Sequence, residues 1–141
     1  MMDAKKTILL VEDNPDDVFI FKLALQDANI TSSVSVAVDG QEAVDYLSGA
    51  NKYSDREQYP LPFIVFLDLK MPFLDGFEVL SWIRTQPPLR GIATVILSGS
   101  DEARDHEKAN ELGADGYLIK PPEPQAILKF FDNSASDAIR K

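Results

Sequence analysis

Five short apolar runs, each followed by a longer amphipathic stretch, constrain this chain more than any other feature. The runs are Ile8-Leu9-Leu10-Val11, Val34 to Val38, Phe63 to Leu67, Thr94 to Leu97 and Tyr117-Leu118-Ile119. The first, third and fourth are continuous in apolar character, as expected of parallel strands covered on both faces. Val34, Val36 and Val38 instead alternate with Ser35 and Ala37, which reads as a strand nearer an edge. The intervening stretches carry helical periodicity. One runs from Asp16 to Ala28, with Val18, Phe21, Leu25 and Ala28 on one face. The next is capped by Asp39 and presents Ala43, Val44 and Leu47. A third spans Gly76 to Thr85 and is closed by Pro87-Pro88, and a fourth spans Asp101 to Leu112 and ends at Gly113. A last helix starts near Glu123 and carries Ile127, Leu128, Phe130 and Phe131.

Five such units in succession predict an α/β fold, a doubly wound five-stranded parallel sheet in the order 2-1-3-4-5. The 141 residues suit one domain, taken as residues 1–132 with a short polar tail over 133–141. The segment from Gly49 to Pro62 is polar and longer than most connections in a compact domain, so it reads as a binding loop or a mobile one. Within it, Tyr53, Arg56 and Tyr59 are either contacts for a partner or ordinary loop packing.

Composition excludes several functions. Cysteine is absent, which removes disulfides, thiolate metal sites and cysteine nucleophiles. His106 is the one histidine and sits in a charged stretch, so it reads as an exposed helix residue rather than a catalytic base. The net charge of -9 opposes direct binding to nucleic acid or to anionic membranes. No apolar run approaches the ~20 residues a membrane span needs, and the N-terminus lacks a signal-peptide core, so a cytoplasmic protein is expected.

In a doubly wound sheet the ligand site lies beyond the carboxyl ends of the strands, beside the switch point between strands 1 and 3. Strand 1 ends in Glu12-Asp13, strand 3 in Asp68, strand 4 in Ser98 and strand 5 in Lys120. Taken singly, each acid reads as a helix cap or a solvated loop residue. Together, with a lysine and a hydroxyl opposite, three carboxylates form a pocket whose mutual repulsion a divalent cation would relieve. Carboxylates with water and a backbone carbonyl suit Mg²⁺, which commonly also shares phosphate oxygens. Three negatives balance the metal and Lys120, and esterifying Asp68 with a phosphoryl group leaves one excess negative charge. A carboxylate can act as nucleophile to form an aspartyl phosphate, and such transfer needs mainly positioning and charge neutralisation. Ser98 can donate a hydrogen bond to a phosphoryl oxygen.

From about Lys6 to Phe131 the chain resembles the response-regulator receiver family, which is CheY-like and shares the flavodoxin-like strand order. The resemblance is carried by the segment from Phe66 to Phe77, which includes Asp68-Leu69-Lys70-Met71-Pro72 and Asp75-Gly76. Leu10 to Asn14, Leu97-Ser98-Gly99-Ser100 and Ile119-Lys120-Pro121 support it. The resemblance implies that Asp68 is the phosphoacceptor. It makes Asp13, Asp68 and the Lys70 carbonyl metal ligands, with Glu12 acting directly or through water. Ser98 becomes the switch hydroxyl, where the family more often has threonine, and Lys120 the cation on the phosphoryl group. Tyr117 matches an aromatic that moves inward as that hydroxyl is drawn to the phosphoryl group; otherwise it is a half-buried strand residue. The Lys120-Pro121 bond is expected to be cis. Lys70 and Ser100 flank the path of attack and are expected to tune dephosphorylation. The long 49–62 connection resembles that of receivers paired with phytochrome-type or other hybrid kinases.

The implied function is two-component signalling. A sensor histidine kinase or histidine phosphotransfer protein supplies the phosphoryl group, and a downstream protein reads the altered surface. The chain is a switch rather than an enzyme. Shifting two conformers from 1:99 to 99:1 needs about 5.5 kcal/mol, which a few charge-assisted hydrogen bonds of about 1.5–3 kcal/mol each supply. Only a short polar tail follows Phe131, so no DNA-binding output of its own is expected, provided the chain is complete. A stand-alone receiver or phosphorelay intermediate is favoured over a piece of a larger regulator or hybrid histidine kinase. A homodimer through the strand 4 and strand 5 face is a further expectation.

Other functions fit less well. A flavodoxin-type cofactor binder needs an anion-cradling first loop, whereas Glu12 to Asp17 is acidic and lacks glycine. A phosphatase of the haloacid dehalogenase type needs an aspartate two residues beyond the nucleophile, where Lys70 stands. A degenerate receiver that only binds proteins would have lost Asp68, Asp13 or Lys120, and all three are present.

Overall fold

The computed structural model describes residues 6–131, so the polar tail expected over 133–141 lies outside the described residues. The strands are β1 (Thr7–Val11), β2 (Ser33–Ala37), β3 (Ile64–Asp68), β4 (Ala93–Ser98) and β5 (Gly116–Ile119). The helices are α1 (Pro15–Asp27), α2 (Gly40–Ser48), α3 (Gly76–Thr85) and α4 (Ala103–Glu111), with a final helix over 124–131. All strand pairs are parallel, and the sheet runs β2-β1-β3-β4-β5. This is the doubly wound order that the sequence predicts.

Alternate residues of each central strand feed opposite faces. Ile8 and Leu10 of β1, with Ile64 and Phe66 of β3, pack on Phe21 and Leu25 of α1 and on Ile127 of the final helix. Leu9 and Val11, with Val65 and Leu67, pack on α2 and α3 through Ala43, Leu47, Val79 and Ile83. Burial on both faces is why β1 and β3 read as continuous apolar runs. At the edge, β2 keeps only Ala37 fully buried, and Val38, the last of the alternating valines, lies beyond the strand and is exposed.

The helix starts aim backbone N–H groups at the carboxyl edge of the sheet. Asn14 caps α1 by accepting from the N–H of Asp16 at 2.8 Å, with Pro15 as the first helical residue. That start lies one residue before the expected one. Asp75 and Glu78 form a capping box on α3. Gly76 follows the cap because α3 begins against the backbone that leaves β3. A Cβ at that position would stand 2.4 Å from the Asp68 carbonyl oxygen. α4 begins two residues later than expected: Glu102 is its N-cap residue, without a side-chain cap bond, and Asp101 lies before the helix, paired with His106.

The 49–62 connection is packed rather than open. It contains a 3-10 turn over Asn51–Ser54 and an aromatic cluster of Tyr46, Tyr53 and Tyr59, with centroids 4.9–6.0 Å apart. The Arg56 guanidinium donates to the carbonyls of Tyr46, Leu47 and Tyr59 at 2.8, 3.0 and 3.2 Å, adding to the Gly49 cap at the C-terminal end of α2. Tyr53 donates to Glu42 at 2.9 Å; burial, then Glu42, pushes its phenol up to about 12. Tyr53, Arg56 and Tyr59 therefore pack the loop, with Arg56 and Tyr59 remaining partly exposed.

Two outcomes follow in chemical denaturation. Gly76→Ala destabilises the protein by about 1–3 kcal/mol, because backbone rather than a flexible side chain must move. Arg56→Ala costs about 1.5–3 kcal/mol, the scale for hydrogen bonds from a charged donor. A midpoint within error of the parent for either variant contradicts the corresponding assignment.

Candidate phosphoacceptor and metal site

The carboxyl ends of β1, β3, β4 and β5 deliver Glu12, Asp13, Asp68, Ser98 and Lys120 to one cleft of about 300 Å³. Asn14, Asp17, Lys70 and Gly99 complete its lining. The sequence placed the first five there from strand ends alone. One carboxylate oxygen each from Glu12, Asp13 and Asp68 lies within 4.8 Å of the others. Glu12 and Asp68 are buried, at 1% and 5% exposure, while Asp13 faces solvent.

Lys120 Nζ sits among the acids, 2.7 Å from Glu12 Oε1, 3.0 Å from Asp17 Oδ2 and 3.3 Å from Asp68 Oδ1. Asp17 belongs to the site and was missed by the sequence reading. It follows Asp16 in the first turn of α1, and nothing in the Asp-Asp pair marks which one turns inward. Its presence corrects the charge count. Four carboxylates face one ammonium, so a divalent cation leaves one negative charge rather than none.

Burial is the main influence on the ionisation of the two inner acids. It pushes the Glu12 carboxyl up to about 7, with Lys120 opposing and Asp68 adding to the rise. It raises Asp68 as well, with Lys120 and the Lys70 N–H opposing. For Lys120 burial works downward, but its contacts with Glu12 and Asp17 and the charge of Asp68 overcome it and raise the ammonium's pKa. The cation is thereby held charged at the site.

The donor set fits a hard divalent cation. Glu12 Oε2 accepts from the Asn14 N–H at 3.1 Å, whereas Oε1 is buried and accepts no aligned hydrogen bond despite the nearby ammonium. Lys70 sends its backbone N–H to Asp68 Oδ1 at 3.3 Å, which orients the carboxylate. Opposite, Ser98 is buried and its Oγ accepts from the Ser100 N–H at 3.0 Å. The Lys120-Pro121 bond is cis, as expected. Tyr117 is half-buried, and its hydroxyl already reaches the Ser100 carbonyl at 2.8 Å. His106 is a correction. It stacks on the Tyr117 ring with centroids 3.8 Å apart, so it is not simply a solvated helix residue. Its charged sequence neighbours concealed a contact made across the fold.

Residues 8–132 match the model of the response regulator receiver domain, and the chain belongs to that family. Its similarities run to particular response regulators over most of their length. The response regulator Rcp1 of Synechocystis sp. is 35% identical over 124 residues, covering 88% of this chain and 82% of that protein. The bacteriophytochrome response regulator AtBRR has a solved structure with a TM-score of 0.80 and 38% identity, covering 90% of each chain. The phosphorylated cyanobacterial phytochrome response regulator RcpA matches at a TM-score of 0.75 and 32% identity, covering 89% of this chain and 87% of that one. The expected kinship with phytochrome-associated receivers is borne out. Among the described residues, no helix is long and apolar enough to cross a membrane.

Crowded acids are expected to destabilise the metal-free site relative to a variant with one carboxylate fewer. Asp68→Asn removes one carboxylate while Lys120 keeps Glu12 and Asp17. In a chelator-treated thermal melt this variant is expected to be more stable than the parent by about 1 kcal/mol. Added Mg²⁺ should raise the parent's midpoint more than the variant's. A destabilised variant, or an equal response to Mg²⁺, contradicts the crowding described.

Proposed function

We propose that this response regulator receiver accepts a phosphoryl group on Asp68, with a divalent cation, and uses the modification to switch its contacts with other proteins. The observation that carries this reading is the convergence of Glu12, Asp13 and Asp68 with Lys120 and Ser98 at one edge of the sheet. The donor is a phosphohistidine on a sensor histidine kinase or histidine phosphotransfer protein. An Asp68 carboxylate oxygen attacks the phosphorus, and the phosphorus–nitrogen bond breaks with its electron pair returning to the donor imidazole. Lys120 lies within reach of the new phosphoryl oxygens, and Ser98 leaves the Ser100 N–H to donate to one of them.

Asp13, Asp68 and the Lys70 carbonyl would hold the metal, taken as Mg²⁺, with Glu12 contributing directly or through water. Bound there, it neutralises charge on the phosphoryl oxygens. A structural relative, the Mn²⁺-bound form of Rcp1, supports a divalent ion. Transfer onto and off Asp68 is the only chemistry assigned to the chain, because Lys70 stands where an external-substrate phosphatase needs its acid. The functional unit is the receiver over residues 1–132, acting in the cytoplasm. A downstream protein reads the β4 and β5 face. A homodimer through that face is supported by β5 being the sheet edge, with Ile119 37% exposed.

Intact-protein mass spectrometry after incubation with acetyl phosphate tests the chemistry. The parent is expected to gain the mass of one phosphoryl group when Mg²⁺ is present and not when it is chelated, and Asp68→Asn gains none. Metal-independent labelling, or labelling that survives in the variant, refutes the assignment. If the parent gains nothing, beryllofluoride, which mimics the phosphoryl group without hydrolysing, decides between rapid loss and no chemistry.

A further inference from the structure

Tyr117 lies on β5 beside Ile96 of β4 and packs on the core cluster shared with α2, α3 and α4. Ser100, in the connection from β4 to α4, ties three things together. Its carbonyl accepts from the Tyr117 hydroxyl at 2.8 Å, its N–H donates to Ser98 Oγ at 3.0 Å, and its hydroxyl donates to Asp105 of α4 at 2.6 Å. One face of the Tyr117 ring is covered by His106, with centroids 3.8 Å apart and planes inclined by 22°. His106 is itself held by Asp101 near the start of α4, with Nε2 and Oδ1 2.9 Å apart.

We propose that His106 is a positioning residue, whose stacking holds Tyr117 turned toward the β4–α4 connection in the conformation that the phosphorylated site requires. The inference rests on the receiver reading above. A tyrosine on an edge strand can also rotate outward and satisfy its hydroxyl with water. The inward position persists because Ser100 takes the hydroxyl and His106 covers the ring, and stacked aromatic pairs stabilise beyond their buried area. When Ser98 Oγ turns to the phosphoryl group it abandons the Ser100 N–H, and the Tyr117 hydroxyl keeps Ser100 in place through its carbonyl. A ring already seated raises the population of the competent conformer, and apparent affinity rises in proportion. His106 keeps 39% of its side chain exposed, and thermal melts separate an effect on folding from one on the switch.

The test is a beryllofluoride titration of the full chain in Mg²⁺, followed by NMR, with thermal melts to confirm folding. His106→Ala is expected to raise the midpoint roughly two- to tenfold. His106→Phe, which keeps a ring but loses the Asp101 contact, stays near the parent. The rise disappears when His106→Ala is made in a Tyr117→Ala background, a coupling that a merely structural role does not produce. Should His106→Ala lose cooperative unfolding, His106→Leu, which fills the volume without an aromatic face, must show the same rise. An unchanged or lowered midpoint, or an equal rise without Tyr117, overturns the proposal. A parent that takes up no beryllofluoride refutes the receiver chemistry itself and the inference with it, whereas normal uptake with an unaltered variant refutes the inference alone.

Discussion

The ammonium of Lys120 stands among Glu12, Asp17 and Asp68, and the carboxyl edge of the sheet is organised around a repulsion that this one cation relieves only in part. Two of those acids are buried, so the protein cannot dilute their charge into solvent. A site of this kind is poised to take up positive charge and to respond when the balance changes. Esterifying Asp68 alters that balance at the one point where β1, β3, β4, β5 and the start of α1 all meet.

The scaffold makes this tolerable by keeping the strain local. The central strands are buried on both faces, so the strand ends that carry Glu12, Asp68 and Ser98 are fixed by packing on two cores rather than by the acids themselves. Gly76 lets α3 start against the Asp68 backbone, which fixes the turn that carries Lys70. Arg56 and the tyrosine cluster close the long connection far from the chemistry. The β4–α4 connection is held more lightly, with Ser100 linking Ser98, Tyr117 and Asp105 through single hydrogen bonds.

Much of the site was legible in the linear chain, because a parallel sheet converts position at a strand end into position in space. Once Asp68 is seen to end one apolar run and Glu12-Asp13 another, their meeting follows from strand order. Asp17, His106 and the Tyr46–Tyr53–Tyr59 cluster were not legible in this way. Asp17 is chosen over Asp16 by the rotation of α1 about its axis, and His106 reaches Tyr117 through the docking of α4 against β5. Both depend on how helices pack, which periodicity specifies only to within a face. The 49–62 connection was misleading for the opposite reason, since its polar composition concealed an arginine spent on backbone carbonyls.

The sequence by itself determined the strands, the Asp39 cap and most of the groups at the carboxyl edge. Those features follow from local periodicity, from side chains that bond their own neighbouring backbone, and from the few topologies a βα repeat can adopt. Tertiary structure decided which acids share Lys120, which ring covers Tyr117 and whether the long connection is packed. Each of those is a contact between elements far apart in the chain, settled by helix rotation and docking at the scale of single ångströms, where no local pattern reaches.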